Sequence, residues 1–101
     1  MKPLFIILIT ALLCASAKPI TDCKCAGKPL YGRVKIVEHH ADFDVQVVEH
    51  HADLHVKKVT TDSRTCGEWR FVTDHPDFTI RIVKDHPDFK IRYVEHHPGK
   101  P

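Results

Sequence analysis

Eleven residues separate successive copies of one unit in this chain, and that spacing limits the folds open to it. Val37-Glu38-His39-His40-Ala41-Asp42-Phe43-Asp44-Val45-Gln46-Val47 is followed directly by Val48-Glu49-His50-His51-Ala52-Asp53-Leu54-His55-Val56-Lys57-Lys58. The unit returns as Val72-Thr73-Asp74-His75-Pro76-Asp77-Phe78-Thr79-Ile80-Arg81-Ile82. It recurs as Val83-Lys84-Asp85-His86-Pro87-Asp88-Phe89-Lys90-Ile91-Arg92-Tyr93 and starts again at Val94-Glu95-His96-His97-Pro98. Residues 59–71 form a divergent copy with two extra residues and the pair Cys66-Gly67, while Arg33-Val34-Lys35-Ile36 is the tail of an earlier one.

A period of eleven suits a helical array, since three turns of a slightly opened helix take eleven residues. The apolar columns refuse that reading. Counting places from the leading Val, apolar residues fall at the seventh, ninth and eleventh places and at the next first place, as in Phe78, Ile80, Ile82 and Val83. Alternation at period two in Val, Ile, Phe and Tyr is the signature of a strand. Each unit is therefore read as a strand of about six residues followed by a polar turn of about five. Pro76, Pro87 and Pro98 are expected to hold the preceding histidines in an extended or polyproline conformation, and they keep the turn out of a central ladder.

The outward columns are polar. Lys35, Gln46, Lys57, Arg70, Arg81 and Arg92 make one, and Asp44, His55, Thr79 and Lys90 the other. Mixed charge there reads as a solvated face that discourages edge pairing. Trp69, the only tryptophan, falls in an inward column beside Phe71 and is expected in the core. The fold class that follows is all-β, with short strands from eleven-residue repeats in one compact domain over 31–98 and a C-terminal tail at 99–101.

The chain begins differently. Lys2 leads into the apolar run Leu4 to Ile9 and then Ala11-Leu12-Leu13-Cys14, ending in the small residues Ala15-Ser16-Ala17. Residues 1–17 read as a secretory signal peptide cleaved between Ala17 and Lys18. The run is shorter than the ~20 apolar residues a spanning helix needs, and no second one follows. Leu13 argues against lipid attachment at Cys14, which calls for a small residue before the cysteine. The expectation is a secreted or periplasmic protein without a membrane span. Removing Lys2 takes fifteen basic residues to fourteen against thirteen acidic ones, which leaves no electrostatic case for nucleic acid.

Export permits disulfides, and three cysteines remain after cleavage: Cys23, Cys25 and Cys66. Cys23 and Cys25 are too close in sequence to bridge without strain, so Cys66 is expected to pair with one or the other. Closing such a loop stabilises by roughly 3–4 kcal/mol in the chain-entropy model. The odd thiol offers a route to a disulfide-linked dimer. Residues 18–30, with Pro19, Pro29 and two cysteines, read as an N-terminal arm ordered only if one of its cysteines is bridged.

The repeat resembles the 7(1) septoil knot domain, a family of small all-β repeat proteins. The likeness runs from Val34 to Pro98 and rests on the recurring Val, the Glu or Asp after it, Ala-Asp-Phe or Ala-Asp-Leu, and Val-x-Val. The resemblance implies a deeply knotted β fold with no established activity. Two departures stand out: a His-His or Asp-His pair where relatives look like Ser-Gln, and Pro for Ala in the later units. Any histidine chemistry would thus be particular to this chain.

Eight of the nine histidines are copies of two turn places. His40, His51, His75, His86 and His97 hold the fourth place, His39, His50 and His96 the third, and His55 lies in a strand. The plain reading makes each a turn residue bonding backbone groups, with the Asp two places on holding the turn through its side chain. A second reading makes the fourth-place column a metal site for Zn, Cu or Ni, supported by Asp42, Asp53, Asp77 and Asp88. A third is pH sensing, since crowded imidazoles would lose their neutral state in acid. Neighbours in an extended segment point opposite ways, so a His-His pair does not chelate as a unit. No cofactor is required by the plain reading and no partner is identified by any of them. Catalysis has little support: Cys66 precedes a turn glycine and is better used in a bridge, Ser63 is the only serine after cleavage, and there is no Gly-rich phosphate loop. The expectation is a non-enzyme.

Overall fold

The computed structural model describes residues 19–101, so the signal segment expected at 1–17 and its expected cleavage between Ala17 and Lys18 lie outside the described residues. The arm forms a small antiparallel sheet of β1 (Ile20–Thr21), β2 (Lys24–Cys25) and β3 (Lys28–Pro29). The repeats supply β4 (Gly32–Ile36), β5 (Phe43–Val47), β6 (Leu54–Lys58), β7 (Glu68–Phe71), β8 (Phe78–Ile82) and β9 (Phe89–Tyr93). These six close into a barrel in the order β4-β7-β6-β9-β5-β8. Every pairing in the ring is parallel.

Parallel neighbours ordinarily need a crossover of a dozen or more residues, which an eleven-residue unit cannot supply. The register resolves this. Val34 at the ninth place faces Phe78 at the seventh, Ile80 faces Phe43, Val45 faces Phe89 and Ile91 faces Leu54. Each strand is therefore offset from the next by two residues, and twelve residues of offset accumulate round six strands. At 3.3 Å per residue and 4.8 Å between strands this tilts the strands by roughly 55°, beyond the usual 35–45°. Strands consecutive in sequence mostly sit two steps apart in the ring, so their offset is four residues. The end of one strand is then level with the start of the next across a single intervening strand, as Ile36 and Phe43 are on either side of Ile80, and places two to five of the unit join them.

The ring also alternates between halves of the chain. β4, β5 and β6 each sit between two of β7, β8 and β9. Pairing partners are mostly 37 or 44 residues apart, as with Thr79 and Asp42 or Arg33 and Asp77.

The seventh and ninth places fill the barrel. Val34, Phe43, Val45, Leu54, Val56, Trp69, Phe78, Ile80, Phe89 and Ile91 are buried there, joined by Cys25 and Leu30 from the arm. Full burial of each large side chain is worth about 1.5–3 kcal/mol. Trp69 packs edge-on against Phe78 at 5.4 Å and Phe71 at 6.2 Å, and its indole N–H donates to the Leu30 carbonyl at 3.0 Å. Gly32 holds a seventh place opposite Trp69, where the regular units carry Phe or Leu. A side chain on Gly32 would run into the Asp77 carboxylate.

The eleventh place departs from the alternation reading, which buried it. Ile36, Val47 and Ile82 are 52%, 41% and 44% exposed. Their backbones face inward by alternation, but the stagger leaves them at the ring's mouth, where no further layer covers them. On the other side of the mouth Lys58 places its ammonium 4.4 Å from the Tyr93 ring centroid.

Cys66 bridges to Cys23, 43 residues away, which settles the choice of partner and orders the arm. Cys25 is completely buried in the core, so the expected route to an intermolecular disulfide is closed by packing. Residues 99–101 are more than a tail. Gly99 is buried at a sixth place, and its backbone exchanges two hydrogen bonds with His55, both 2.7 Å.

Candidate functional site

The fourth-place histidines share one backbone conformation. His40, His51, His75, His86 and His97 have φ of 58°, 61°, 53°, 54° and 60°. This is the left-handed region, in which histidine is enriched among residues other than glycine. The extended conformation expected ahead of Pro76, Pro87 and Pro98 does not occur. The proline ring disfavours the right-handed helical region of the residue before it, whereas the four-residue connection demands a tight reversal, and the left-handed region meets both conditions.

All eight turn histidines are exposed, third-place and fourth-place alike. Ring contact between imidazoles is recorded for His96 and His97, at 6.5 Å. Each fourth-place imidazole otherwise belongs to its own turn. Among the described residues no three His, Cys, Asp or Glu side chains converge where a metal ion would sit.

The sixth-place aspartates act differently from the expectation that they brace their own turns. Oδ2 of Asp42 accepts the Thr79 N–H, Asp53 the Lys90 N–H, Asp77 the Arg33 N–H and Asp88 the Asp44 N–H, at 2.8–2.9 Å. Each carboxylate thus serves the adjacent strand of the ring. The two-residue stagger is the cause: the first residues of a strand run beyond the neighbour's ladder, and the carboxylate supplies the missing acceptor.

A cleft of about 800 Å³ opens where the repeat is interrupted. The arm forms one wall with Lys28, Pro29 and Tyr31, the divergent copy forms the other with Asp62, Ser63 and Arg64, and Gly32, Arg33 and Asp77 lie between them. Both walls are pinned. The Leu30 carbonyl accepts the Gly67 N–H at 3.0 Å as well as the Trp69 indole, Ser63 Oγ donates to Glu68 at 2.6 Å, and the Cys23–Cys66 bridge spans the two segments.

Asp62 sits between two guanidinium groups, Arg33 at 2.9 Å and Arg70 at 2.8 Å. Arg33 grips it through Nε and Nη2, the fork geometry that makes such pairs specific. The hydrogen bonds from Arg33 and then Arg70 hold the Asp62 carboxyl well below the ordinary carboxylate range, and the Arg33 guanidinium is correspondingly raised. A similar fork joins Arg81 to Asp44 on the barrel surface. The Lys28 ammonium and the Arg64 guanidinium have no hydrogen-bond or ion-pair partner among the described residues. The periodicity that singled out the histidines was blind to this cleft. The signal that marks it in the sequence is the break in the repeat at 59–71.

With barrel, turns and cleft defined, the whole length from the end of the arm onward can be compared with known domains. Residues 27–101 match the 7(1) septoil knot domain. The chain belongs to that family. The septoil knot match starts at Gly27 and includes residues 99–101, in agreement with the structural roles of β3 and Gly99. It is the family's name that assigns a 7(1) knot to this barrel. Among curated proteins none matches the chain.

Proposed function

We propose that this septoil knot protein is an exported, non-catalytic binding module that stays folded outside the cytoplasm. The observation that carries this reading is the closed parallel ring tied to its own arm by the Cys23–Cys66 bridge. A closed ring presents no strand edge to foreign chains, and a disulfide over a long loop persists in an oxidising compartment. A knotted chain must also be unthreaded before it is fully disordered, which turns stability into a rate.

Support for a non-catalytic role comes from the aspartates. The carboxylates that an acid-base mechanism would recruit, Asp42, Asp53, Asp77 and Asp88, are committed to backbone N–H groups of neighbouring strands. The turn histidines serve the reversal of the chain in a left-handed conformation. Incubating the oxidised protein with a broad-specificity protease tests the reading. Persistence of the 27–101 core for hours is expected, and digestion at the rate of an unstructured chain would overturn it.

A further inference from the structure

The cleft between the arm and the interrupted copy lies where the repeat stops dictating the surface. We propose that this cleft binds a small organic polyanion, a polycarboxylate or a phosphate ester, held between Lys28 and Arg64 with Arg33 at its floor. The inference extends the reading of the chain as a binding module.

The charge balance is the first support. Both carboxylates in the cleft are engaged, Asp77 by the Arg33 backbone N–H and Asp62 by the side chains of Arg33 and Arg70. Lys28 and Arg64 face the same space from opposite walls without a partner among the described residues. Arg33 uses Nε and Nη2 on Asp62, so further guanidinium N–H groups remain to donate. The cleft is therefore lined by three cationic side chains, Lys28, Arg33 and Arg64, against two carboxylates that already accept hydrogen bonds.

Size and shape are the second support. A volume of about 800 Å³ falls within the range of small-molecule sites. The half-buried Pro29 and Tyr31 supply apolar surface for the body of the ligand, while the cations take its charged ends. Pinning also matters. Residues on both sides of Arg64 are held, Ser63 and Thr65 through the Ser63 hydroxyl and Cys66 through its bridge, so the loop has little freedom left to lose on binding.

The test uses the full oxidised chain at low ionic strength, titrated separately with citrate, pyrophosphate and acetate while amide shifts and heats are recorded. Saturable one-to-one binding of citrate or pyrophosphate is expected, with shifts at residues 28–33 and 62–65 and none with acetate. Citrate alone would assign a carboxylate ligand, and pyrophosphate alone a phosphate. The double variant Lys28→Ala/Arg64→Ala should weaken binding about tenfold, as two exposed charge contacts would, with an unchanged melting temperature. Absence of saturation by both anions, undiminished affinity in the double variant, or shifts confined to the histidine turns would overturn the proposal. Protease survival is read separately, so loss of the anion site would leave the broader reading standing.

Discussion

Asp77 and Arg33 exchange two hydrogen bonds across the ring, the Arg33 N–H donating to Asp77 Oδ2 at 2.8 Å and the Asp77 N–H donating to the Arg33 carbonyl at 2.8 Å. Asp88 with Asp44 and Asp53 with Lys90 repeat the exchange. Asp42 varies it: its backbone N–H donates to the Thr79 hydroxyl instead of a carbonyl. In the last unit Gly99 performs the same closure on His55 with its backbone alone.

Removing one of these carboxylates orphans a strand N–H. Asp88→Ala should destabilise the protein by about 1–2 kcal/mol, and Asp88→Asn, which keeps an acceptor, by less. Urea denaturation with an unchanged slope would report the difference. Equal losses for both substitutions would show that the acceptor is not what matters.

The left-handed turns make the fourth place selective by backbone shape. Replacing His51 or His86 with Ile should cost about 1–2 kcal/mol, because a branched Cβ is strained at φ of 61° or 54°. Asn at either position should be tolerated. Melting curves of the two pairs of variants decide it, and Ile as stable as Asn would contradict the turn argument.

Exposed imidazoles that do not gather three at a time predict indifference to soft and borderline metals. Equimolar zinc or copper should leave the melting temperature where it was. A stoichiometric rise reversed by a chelator would instead show that the turns can gather around an ion.

The Cys23–Cys66 bridge closes a loop of 43 residues and should contribute about 4 kcal/mol. Cys66→Ala is expected to lower stability by that order and to free the arm, seen as early proteolysis ahead of residue 32. Because Cys25 is buried, the oxidised protein should run as a monomer on non-reducing gels. A covalent dimer would contradict its placement.

Asp62 gives a pH dependence of known sign. Its carboxyl is depressed in the folded state, chiefly by the hydrogen bond from Arg33, so its contribution is complete above the unfolded value of about 4. The contribution is lost as the pH falls from there through the lower folded value. The stability gap between the protein and Asp62→Asn should therefore be constant from pH 7 to about 5 and shrink in stronger acid. A gap that widens in acid would mean the pair is not the cause.

Much of the barrel is legible in the sequence, and the reason is local. Phe78, Ile80, Phe89 and Ile91 alternate with charged residues, and alternation depends only on the pleat of their own strand. The direction of pairing is not local: nothing in the unit distinguishes a parallel neighbour from an antiparallel one, because that follows from the tilt of the whole ring. The same tilt exposes Ile36, Val47 and Ile82, which alternation alone would bury. Proline misdirected the reading of His75, His86 and His97, since its influence on the residue before it was outweighed by the short reversal each turn must make. The cleft was harder still. Lys28 and Arg64 are 36 positions apart and line one cleft only because the arm lies against the interrupted copy.

The alternation of the two halves round the barrel has a consequence for how the protein is made. As the chain emerges during synthesis, β4, β5 and β6 appear with no partner among themselves. The first half must wait, unassembled, until β7 to β9 arrive to slot between its strands. Folding should accordingly be slow for so short a chain, since five of the six strand pairings in the ring close a loop of 37 or 44 residues before they gain any stability. The same interdigitation makes the halves natural complements. Cut between residues 59 and 67, the two pieces would each hold three separated staves of one cask, and neither could hold water without the other.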